Sequence, residues 1–235
     1  EFDMSRIFTA NLFIIGIALR VATSVFEVQQ QQHLSAELTL VTDACSRIDF
    51  VSREQWCARP PKNQDWLKVQ PVPQFFVHHT LRNECCDLDT CSERMRYWQD
   101  FHMDYRHWDD LGYSFLIGGD GRVYEARGWN RSGAHTLGHN YDSLAVAFIG
   151  DFSDHLPVPG ALQALKYLLE CGVSLGMILS NYTLHGHRDA NCRTCPGDAL
   201  YGHISKWEHF GGRLKTRYIC TIDANATRRP SLRSP

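Results

Sequence analysis

The sequence has almost no net charge, few charged residues, and no apolar run of the length that a membrane-spanning helix requires. Its 24 Lys and Arg nearly balance 26 Asp and Glu, which leaves a formal net charge of -2. Such a chain has no global attraction to nucleic acid or to an anionic membrane surface. Charged residues make up 21% and apolar residues 43%, so the composition is that of a globular protein. No internal repeat is evident, and 235 residues are enough for one sizeable domain with its own core.

One mostly apolar stretch near the start, Ile7 to Leu19, has about 13 residues, whereas a membrane span needs about 20. Arg6 gives it a positively charged start, and small residues suited to cleavage follow at positions 22–24. This pattern is typical of a secretory signal peptide, which we predict over residues 1–24. Residues 1–3 precede the first methionine, and we interpret them as an addition to the natural chain. The protein is therefore expected to be secreted, extracellular and without a membrane span.

Three segments make up the rest of the chain. Residues 25–44 carry few structural signals and are predicted to be a flexible N-terminal segment. Residues 45–212 contain the strand and helix patterns and form the predicted domain. Residues 213–235 carry six Lys and Arg against one Asp and are predicted to be a basic C-terminal tail.

Strand patterns recur along the domain. Gln74 to Thr80 is aromatic and β-branched and follows a proline, which favours a central strand. Asp120-Gly121 separates the runs 113–117 and 122–126, and this dipeptide between two such runs is a strong signal for a β-hairpin. Residues 144–149 are continuously apolar, as expected of a strand that is buried on both faces.

Helix patterns lie between these strands. Residues 90–93 (TCSE) have the form of a capping box, and apolar and aromatic residues then recur at helical spacing, so an amphipathic helix is predicted over roughly 91–105. A second helix is predicted over about 160–175 and a last one over 199–210. Alternating strands and helices that include a hairpin predict an α/β fold, a mixed central β-sheet flanked by about three α-helices.

The stretch from His187 to Asp198 holds an imidazole and a thiol eight residues apart, at His187 and Cys195. Most isolated His–Cys pairs bind no metal, but two observations favour a ligand role here. His78 ends a buried strand, where an unpartnered histidine is costly, and the turn at Pro196-Gly197 suggests a fixed loop for Cys195. Two imidazole nitrogens and one thiolate match a catalytic zinc site that keeps one position open for water. We therefore predict that His78, His187 and Cys195 bind Zn²⁺.

His78 and His79 are neighbours on one predicted strand, so their side chains point to opposite faces of the sheet. Both cannot bind the same ion in a simple geometry. We assign the metal to His78 and expect His79 to pack or to hydrogen-bond elsewhere.

A series of motifs occurs in fixed order along the domain. They are His78-His79-Thr80, residues 108–125 (WDDLGYSFLIGGDGRVYE), Gly128-Trp129, residues 133–136 (GAHT), residues 148–152 (FIGDF) and residues 186–198 (GHRDANCRTCPGD). Together they resemble the peptidoglycan recognition proteins, which are relatives of the phage-type N-acetylmuramoyl-L-alanine amidases. The resemblance runs from about Cys45 to about Gly212 and does not cover the N-terminal segment or the basic tail.

By position, the resemblance implies that His78, His187 and Cys195 bind zinc and that Tyr113 is catalytic. The bond cut would join the lactyl group of N-acetylmuramic acid to L-alanine. Zinc lowers the pKa of a bound water to about 7 and polarises the amide carbonyl, and Tyr113 can hydrogen-bond the water or the developing oxyanion. No separate carboxylate base occupies a motif position. Members that only bind wall fragments usually replace the cysteine, often by serine, and this chain keeps Cys195.

The interior of the last motif departs from the family pattern. Catalytic relatives often carry threonine or lysine two residues before the zinc cysteine, where this chain has Arg193, and Cys192 beside it is also unusual. An arginine can donate to an oxyanion, so we assign Arg193 a catalytic role. The alternative is that Arg193 is a solvent-facing charge of the loop.

Five residues are assigned to substrate binding: Thr80, Arg127, Gly128, Trp129 and His135. Trp129 can stack on sugar or stem peptide, and Arg127 can pair with a carboxylate. In the family a Gly-Trp pair at this place accompanies diaminopimelate-type stems, so Gly128-Trp129 favours that type over the lysine type. The alternative is that Trp129 packs against its own loop.

The nine cysteines are expected to be mostly paired, because a secreted chain meets an oxidising compartment. Nine is odd, and a metal-bound Cys195 leaves eight that can pair fully, although any one cysteine could be the odd one. The resemblance implies the bridges Cys85–Cys91 and Cys45–Cys171. The pairing of the other four stays open; Cys57–Cys86 with Cys192–Cys220 would complete the set.

The sequence thus predicts a secreted, peptidoglycan-binding zinc amidase of innate immunity that is a monomer and binds no nucleic acid. Two alternatives stay open. One is a non-catalytic receptor that uses bound wall fragments to start immune signalling; Cys195 argues against it and Arg193 leaves room for it. The other is a directly bactericidal effector, for which the basic tail is the only hint.

Overall fold

The computed structural model describes residues 26–27, 29–33, 35 and 44–215. Within the chain, contacts define two compact units, residues 1–46 and residues 47–235. The described residues of the first unit are helical, although residues 25–44 were expected to lack regular structure. The predicted signal peptide and all but the first three residues of the predicted basic tail lie outside the described residues.

A mixed sheet of six strands forms the centre of the described part of the second unit, in the order β1-β4-β3-β5-β2-β6. Only the β3–β4 pair is antiparallel, and it is the predicted hairpin; the other pairs are parallel. The predicted mixed central sheet is therefore confirmed. The strands are β1 (Phe50–Val51), β2 (Val72–His79), β3 (Phe115–Ile117), β4 (Val123–Glu125), β5 (Ser143–Phe148) and β6 (Ile178–Gly186).

Strand β2 is the fifth of the six strands in the sheet and lies between the parallel strands β5 and β6. Its last five residues, 75–79, are all buried, and so is every residue of β5. Apart from Ser143 at the start of β5 and the two histidines at the end of β2, these buried residues are apolar, as strands covered on both faces require. This placement brings the carboxyl end of β2, with His78 and His79, next to the end of β6.

The helices flank this sheet. Helix α1 (Leu88–Asp100) continues directly as a π-helix (Phe101–Tyr105), and the later helices are α2 (Pro159–Ser174), the one-turn α3 (His187–Ala190) and α4 (Asp198–Ile204). The predicted capping box is wrong: the carboxylate of Asp87 caps α1 by accepting from the backbone N–H of Thr90 at 2.8 Å. The last predicted helix ends six residues early, at Ile204 rather than at position 210.

Two apolar clusters cover the two faces of the sheet, and alternate residues of β3 divide between them. Phe115 and Ile117 join the cluster that contains Leu165 and Leu168 of α2. Leu116 joins the other cluster, which contains Met95 of α1. The functional side chains therefore lie on a sheet that is fixed from both sides. Among the described helices none has the length and apolar character needed to cross a bilayer.

One predicted disulfide, Cys85–Cys91, is confirmed, with its Cα atoms 5.0 Å apart. Cys45, Cys171 and Cys192 are also disulfide-bonded, and the pairing of Cys45 with Cys171 stays a prediction. The pairing of Cys57 with Cys86 is wrong, because both thiols are free and exposed. Cys195 is free, as expected of a metal ligand, but the described residues contain three free thiols and not one. Cys220 lies outside the described residues.

Candidate active site

The three predicted metal ligands meet at one edge of the sheet. His78 lies at the carboxyl end of β2, His187 opens α3 directly after β6, and Cys195 lies in the loop between α3 and α4. Because β2 and β6 are parallel neighbours, with Val77 paired to Gly186, their carboxyl ends bring the two histidines together. One ligand atom from each of the three side chains lies within 4.8 Å of the others. The described residues contain no other such group of His, Cys, Asp and Glu.

Hydrogen bonds from neighbouring residues orient both imidazoles. Nε2 of His78 lies 3.2 Å from Oγ1 of Thr136, and Nε2 of His187 lies 3.2 Å from Oδ1 of Asn191. The same Asn191 oxygen also accepts from the backbone N–H of Leu137 at 3.1 Å, which fixes the amide in place. Each ring therefore has its Nε2 engaged and its Nδ1 left for a metal, the arrangement by which outer residues fix metal-binding histidines.

The spacing of the donor atoms fits a tetrahedral metal ion. Sγ of Cys195 lies 3.7 Å from Nδ1 of His78. Zinc–nitrogen and zinc–sulfur bonds of about 2.0 and 2.3 Å at a tetrahedral angle place such atoms about 3.5 Å apart. The backbone N–H of His79 points at Sγ from 3.4 Å and would stabilise negative charge on the sulfur. The residues present fit a zinc ion with one position left open toward the groove.

Burial sets the protonation of this cluster. It lowers the pKa of His78 well below the ordinary value, with the nearby His187 adding to the effect. Burial lowers the pKa of His187 to about 4, although the hydrogen bond that its ring donates to Oδ1 of Asn191 raises that pKa. Both rings are therefore neutral at pH 7, the form that binds metals. Burial also raises the pKa of the Cys195 thiol to about 12, so metal binding would have to release its proton.

His79 faces away from the metal cluster, as the alternation of strand side chains requires. Its Nδ1 accepts from the backbone N–H of Phe152 at 3.3 Å and lies 3.6 Å from Oδ1 of Asp151. Burial lowers the pKa of His79 to about 4 in spite of Asp151. The buried imidazole of His79 thus accepts a hydrogen bond that holds the local fold, while the backbone N–H of His79 donates to Sγ of Cys195.

Tyr113, the predicted catalytic tyrosine, lies just before β3 on the wall beside the metal cluster. Its ring centroid is 5.2 Å from that of His78. Burial raises the pKa of Tyr113 above its ordinary value, and the charge on Cys195 raises it further. No described residue hydrogen-bonds its hydroxyl group. Tyr113 is therefore a neutral donor that is free to bind an oxygen atom in the groove.

The cluster opens on a groove of about 910 Å³, whose far wall is aromatic and was missed by sequence reasoning. The π-helix presents Phe101 and His102 to it, and Trp108 stacks on His102 with ring centroids 4.7 Å apart. The backbone N–H of Gly112 donates to Nδ1 of His102 at 3.3 Å. Gly112 is required there, since a Cβ would lie 2.9 Å from both the Trp108 ring and the carbonyl oxygen of Ala134.

Charge on this wall comes from one cation. Arg106 is exposed on the groove and lies over the Phe101 ring at 5.6 Å. Burial lowers the pKa of His102 to about 4, and Arg106 contributes to the shift, so His102 is neutral at pH 7. The wall thus offers flat aromatic surface together with a single guanidinium, a combination suited to a sugar or peptide that carries a carboxylate.

Two of the five residues assigned to substrate binding lie on the groove. Thr80 accepts from the backbone N–H of Gly150 at 3.0 Å, which locks its side chain at the end of β2. His135 is buried beside His78, and burial lowers its pKa to about 3. Its Nε2 is buried and has no hydrogen-bond partner among the described residues, so it has an unused polar atom at the groove.

Arg127, Gly128 and Trp129 do not line the groove, so its lining does not support their assignment to substrate binding, which stays a prediction. Nε of Arg127 donates to the carbonyl oxygen of Leu111, and its Nη1 donates to that of Ser132 at 2.7 Å, so the guanidinium is buried in backbone contacts. Trp129 packs on Phe115 with ring centroids 4.5 Å apart. Trp129 therefore packs on strand β3 and the core cluster around it, and not against its own loop as the alternative had it. Trp98 and Trp108 are the tryptophans that line the groove.

Arg193 is exposed and lines the groove together with its loop neighbours Asn191 and Cys192. It forms no ion pair with any described residue. Its position leaves the guanidinium able to turn toward the groove or away from it.

Comparison with known proteins agrees with this geometry. A family model described as N-acetylmuramoyl-L-alanine amidase matches residues 68–198. The mouse (Mus musculus) peptidoglycan recognition protein 1 is 43% identical over 178 residues, which cover 75% of this chain and 96% of that protein. The solved structure of peptidoglycan recognition protein LE in complex with tracheal cytotoxin, a monomeric diaminopimelic acid-type peptidoglycan, superimposes with a TM-score of 0.68 at 38% identity, covering 70% of this chain and 96% of that one.

The human (Homo sapiens) N-acetylmuramoyl-L-alanine amidase is 38% identical over 185 residues, or 77% of this chain. Those residues make up only 32% of the human protein, and the matching share of the pig (Sus scrofa) amidase is 35%. The chain therefore spans about a third of the length of the two mammalian amidases that it matches.

Proposed function

The chain belongs to the peptidoglycan recognition protein family, and from this we propose that it is a zinc-dependent N-acetylmuramoyl-L-alanine amidase. The bond cut joins the lactyl group of N-acetylmuramic acid to the L-alanine of the stem peptide. One observation carries the proposal: His78, His187 and Cys195 gather at the floor of an open groove, with the cysteine free. A closed structural site would instead surround the metal with four protein ligands.

His78, His187 and Cys195 would hold the ion. When bound, zinc supplies an activated water and polarises the amide carbonyl. Thr136 and Asn191 keep the two imidazoles oriented. Their fixed positions mean that little reorganisation is needed when substrate arrives.

Tyr113 acts on the oxygen of the scissile amide. Its protonated hydroxyl donates a hydrogen bond to the oxyanion that develops as the carbonyl carbon becomes tetrahedral. A raised pKa keeps that proton in place throughout the working pH range. The nearby buried histidines are neutral and do not compete for the negative charge.

The aromatic wall holds the rest of the substrate. Trp108 and Phe101 supply surface for sugar and stem peptide, and Arg106 is the cation best placed to pair with a stem carboxylate. We favour a diaminopimelate-type stem, which carries one more carboxylate than a lysine-type stem. In this proposal the specificity lies with Arg106 and Trp108 and not with Gly128-Trp129.

The protein is proposed to be secreted and to act in innate immunity outside the cell. Its disulfides support an oxidising compartment. A binding-only receptor is the second candidate, because Arg193 stands on the groove wall where catalytic relatives often carry threonine or lysine.

Release of stem peptides from purified peptidoglycan tests the proposal directly. The protein is assayed as purified, after chelation, and after zinc is returned. We expect release that is lost on chelation and restored by zinc. Binding to peptidoglycan without release under any of these conditions would favour the receptor.

A further inference from the structure

A second cavity, of about 570 Å³, adjoins the groove on the side of Arg193. Four residues line both spaces, so the two are continuous along one loop. Arg188 and Arg213 line only the second cavity. We call it the arginine pocket; it is lined by Arg188, Asn191, Cys192, Arg193, Thr194 and Arg213.

The arginine pocket has an excess of positive charge. Arg188 pairs with Asp198, its Nη1 lying 2.7 Å from Oδ1. Arg193 and Arg213 form no ion pair with any described residue. Within the described part of the chain, three guanidinium groups thus face one pocket with one carboxylate between them. Arg193 and Arg213 are exposed, so their guanidinium groups are accessible to an anion from outside.

The backbone beneath these arginines is held in place. Arg188 donates to the carbonyl oxygen of Thr194 and lies over the Tyr201 ring at 4.6 Å. On one side of Arg213, the carbonyl oxygen of Gly212 lies 2.7 Å from Nδ1 of His185. On its other side, the backbone N–H of Leu214 donates to the carbonyl oxygen of Asp189 at 3.0 Å. Cys192, next to Arg193, is disulfide-bonded. A ligand would therefore meet a site whose backbone needs no ordering.

We propose that the arginine pocket binds a phosphate group. A guanidinium fork matches phosphate oxygens in a bidentate manner, and several forks around one pocket suit a group with three or four oxygens better than a two-oxygen carboxylate. Two sources share this chemistry: free inorganic phosphate, and a phosphodiester carried by a polymer attached to the wall glycan. The second source rests on the proposed function, because only a glycan strand held in the groove would bring its attached polymer to the adjoining pocket.

Titration with inorganic phosphate tests the pocket itself. Arg213→Gln is compared with the parent protein, with Arg213→Lys, and with Lys206→Gln as a matched exposed control outside the pocket. All four keep the same metal centre, so a difference between them reports the arginine pocket. We expect about tenfold weaker phosphate binding for Arg213→Gln, an intermediate loss for Arg213→Lys and none for Lys206→Gln. Equal binding by all four overturns the proposal, and so does equally tight binding of acetate.

Wall preparations distinguish the two sources. The parent protein and Arg213→Gln are bound to peptidoglycan that carries phosphodiester polymer and to the same wall after the polymer is removed. We expect the parent to prefer the phosphate-bearing wall and Arg213→Gln to lose that preference. Arg213 could prove necessary for binding inorganic phosphate but not for binding the wall. That result would refute the wall polymer as the ligand of the arginine pocket and leave free phosphate as its ligand.

Stem-peptide release from the stripped wall separates this proposal from the proposed function. We expect the parent and Arg213→Gln to release stems at the same rate, because Arg213 does not line the groove. No release by either protein refutes the amidase while the phosphate result still stands. Normal release by both, together with phosphate binding that ignores Arg213, refutes only the arginine pocket.

Discussion

Sγ of Cys195 and Nδ1 of His78 lie 3.7 Å apart at the floor of the groove. With His187 they supply the donor atoms for one metal ion. The cysteine is the ligand that is usually replaced in family members that only bind wall fragments. Because Cys195 is present and lies close enough to His78 to share a metal ion with it, the site favours hydrolysis of the ligand over binding alone.

Replacement of Cys195 tests this role. Cys195→Ser should reduce stem-peptide release more than about 100-fold, because loss of a ligand exceeds the usual effect of an outer residue. Binding to insoluble peptidoglycan should persist, since the groove walls are unchanged. Cys57→Ser, which alters another free thiol, should behave like the parent. A Cys195→Ser protein that released stems at the parental rate would show that the metal assignment is wrong.

Asn191 should control metal affinity without touching the metal. Its side chain orients His187 and anchors the loop at Leu137. Asn191→Ala is expected to weaken zinc binding by about 10- to 100-fold, measured by competition with a chromogenic chelator. Asn181→Ala is the matched control, because Asn181 is exposed on β6. Unchanged zinc affinity in Asn191→Ala would mean that His187 needs no outer support.

Arg193 is tested by returning the residue type that catalytic relatives often carry. If Arg193 donates to the oxyanion, Arg193→Thr should lower kcat by roughly 10- to 1,000-fold with little change in KM, and Arg193→Lys should retain part of the rate. Steady-state rates of stem release on a soluble wall fragment measure both constants. Equal kcat values for Arg193→Thr and the parent would remove Arg193 from the mechanism and leave it to the arginine pocket.

Two tryptophans should separate ligand binding from stability. Trp108→Ala is expected to weaken binding of a diaminopimelate-type fragment about tenfold, because it removes stacking surface from the groove. Trp129→Ala should leave that affinity unchanged but lower the free energy of unfolding by about 3 kcal/mol, since Trp129 packs on Phe115. Calorimetric titration and denaturant unfolding measure the two effects. A parent protein that preferred lysine-type fragments would contradict the proposed stem specificity.

The sequence was most informative where residue chemistry and chain geometry agree. The three candidate metal ligands could be predicted because few residue types bind zinc and because each has a local sequence signal. His78 ends a strand, His187 follows a glycine in a Gly-His motif, and Cys195 precedes a Pro-Gly turn. The hairpin and the buried strand β5 could be named because each leaves a strong local pattern. These features depend on neighbours in sequence.

The groove walls could not be predicted in the same way. A helical stripe of aromatic residues has the same spacing whether it faces a core or a cavity, so the spacing alone did not place Phe101 in the groove. The change from α-helix to π-helix at Phe101, which presents them to the groove, leaves no simple periodic signal. Trp129 stood in a motif, yet only its contact with Phe115 revealed that it packs inward.

The edge strand β6 was also missed for a physical reason. Along β6, buried and exposed residues do not alternate, and the strand is not apolar throughout. Three exposed residues follow Ile178, and the last three residues are buried. Only its partner β2 gives it a definite register. Such a strand forms because it pairs with a segment that is distant in sequence, so the local sequence pattern does not predict it.

The pairing of β2 with β6 has a consequence for how the protein acquires its metal. His78 and Cys195 are separated by 117 positions along the chain, and they approach only when those two strands have aligned. A chain in which these strands have not aligned could offer a metal ion His187 and Cys195, which are only eight residues apart, but not His78 with them. Binding of an ion by all three proposed ligands would therefore require that β2 and β6 have already paired in this register.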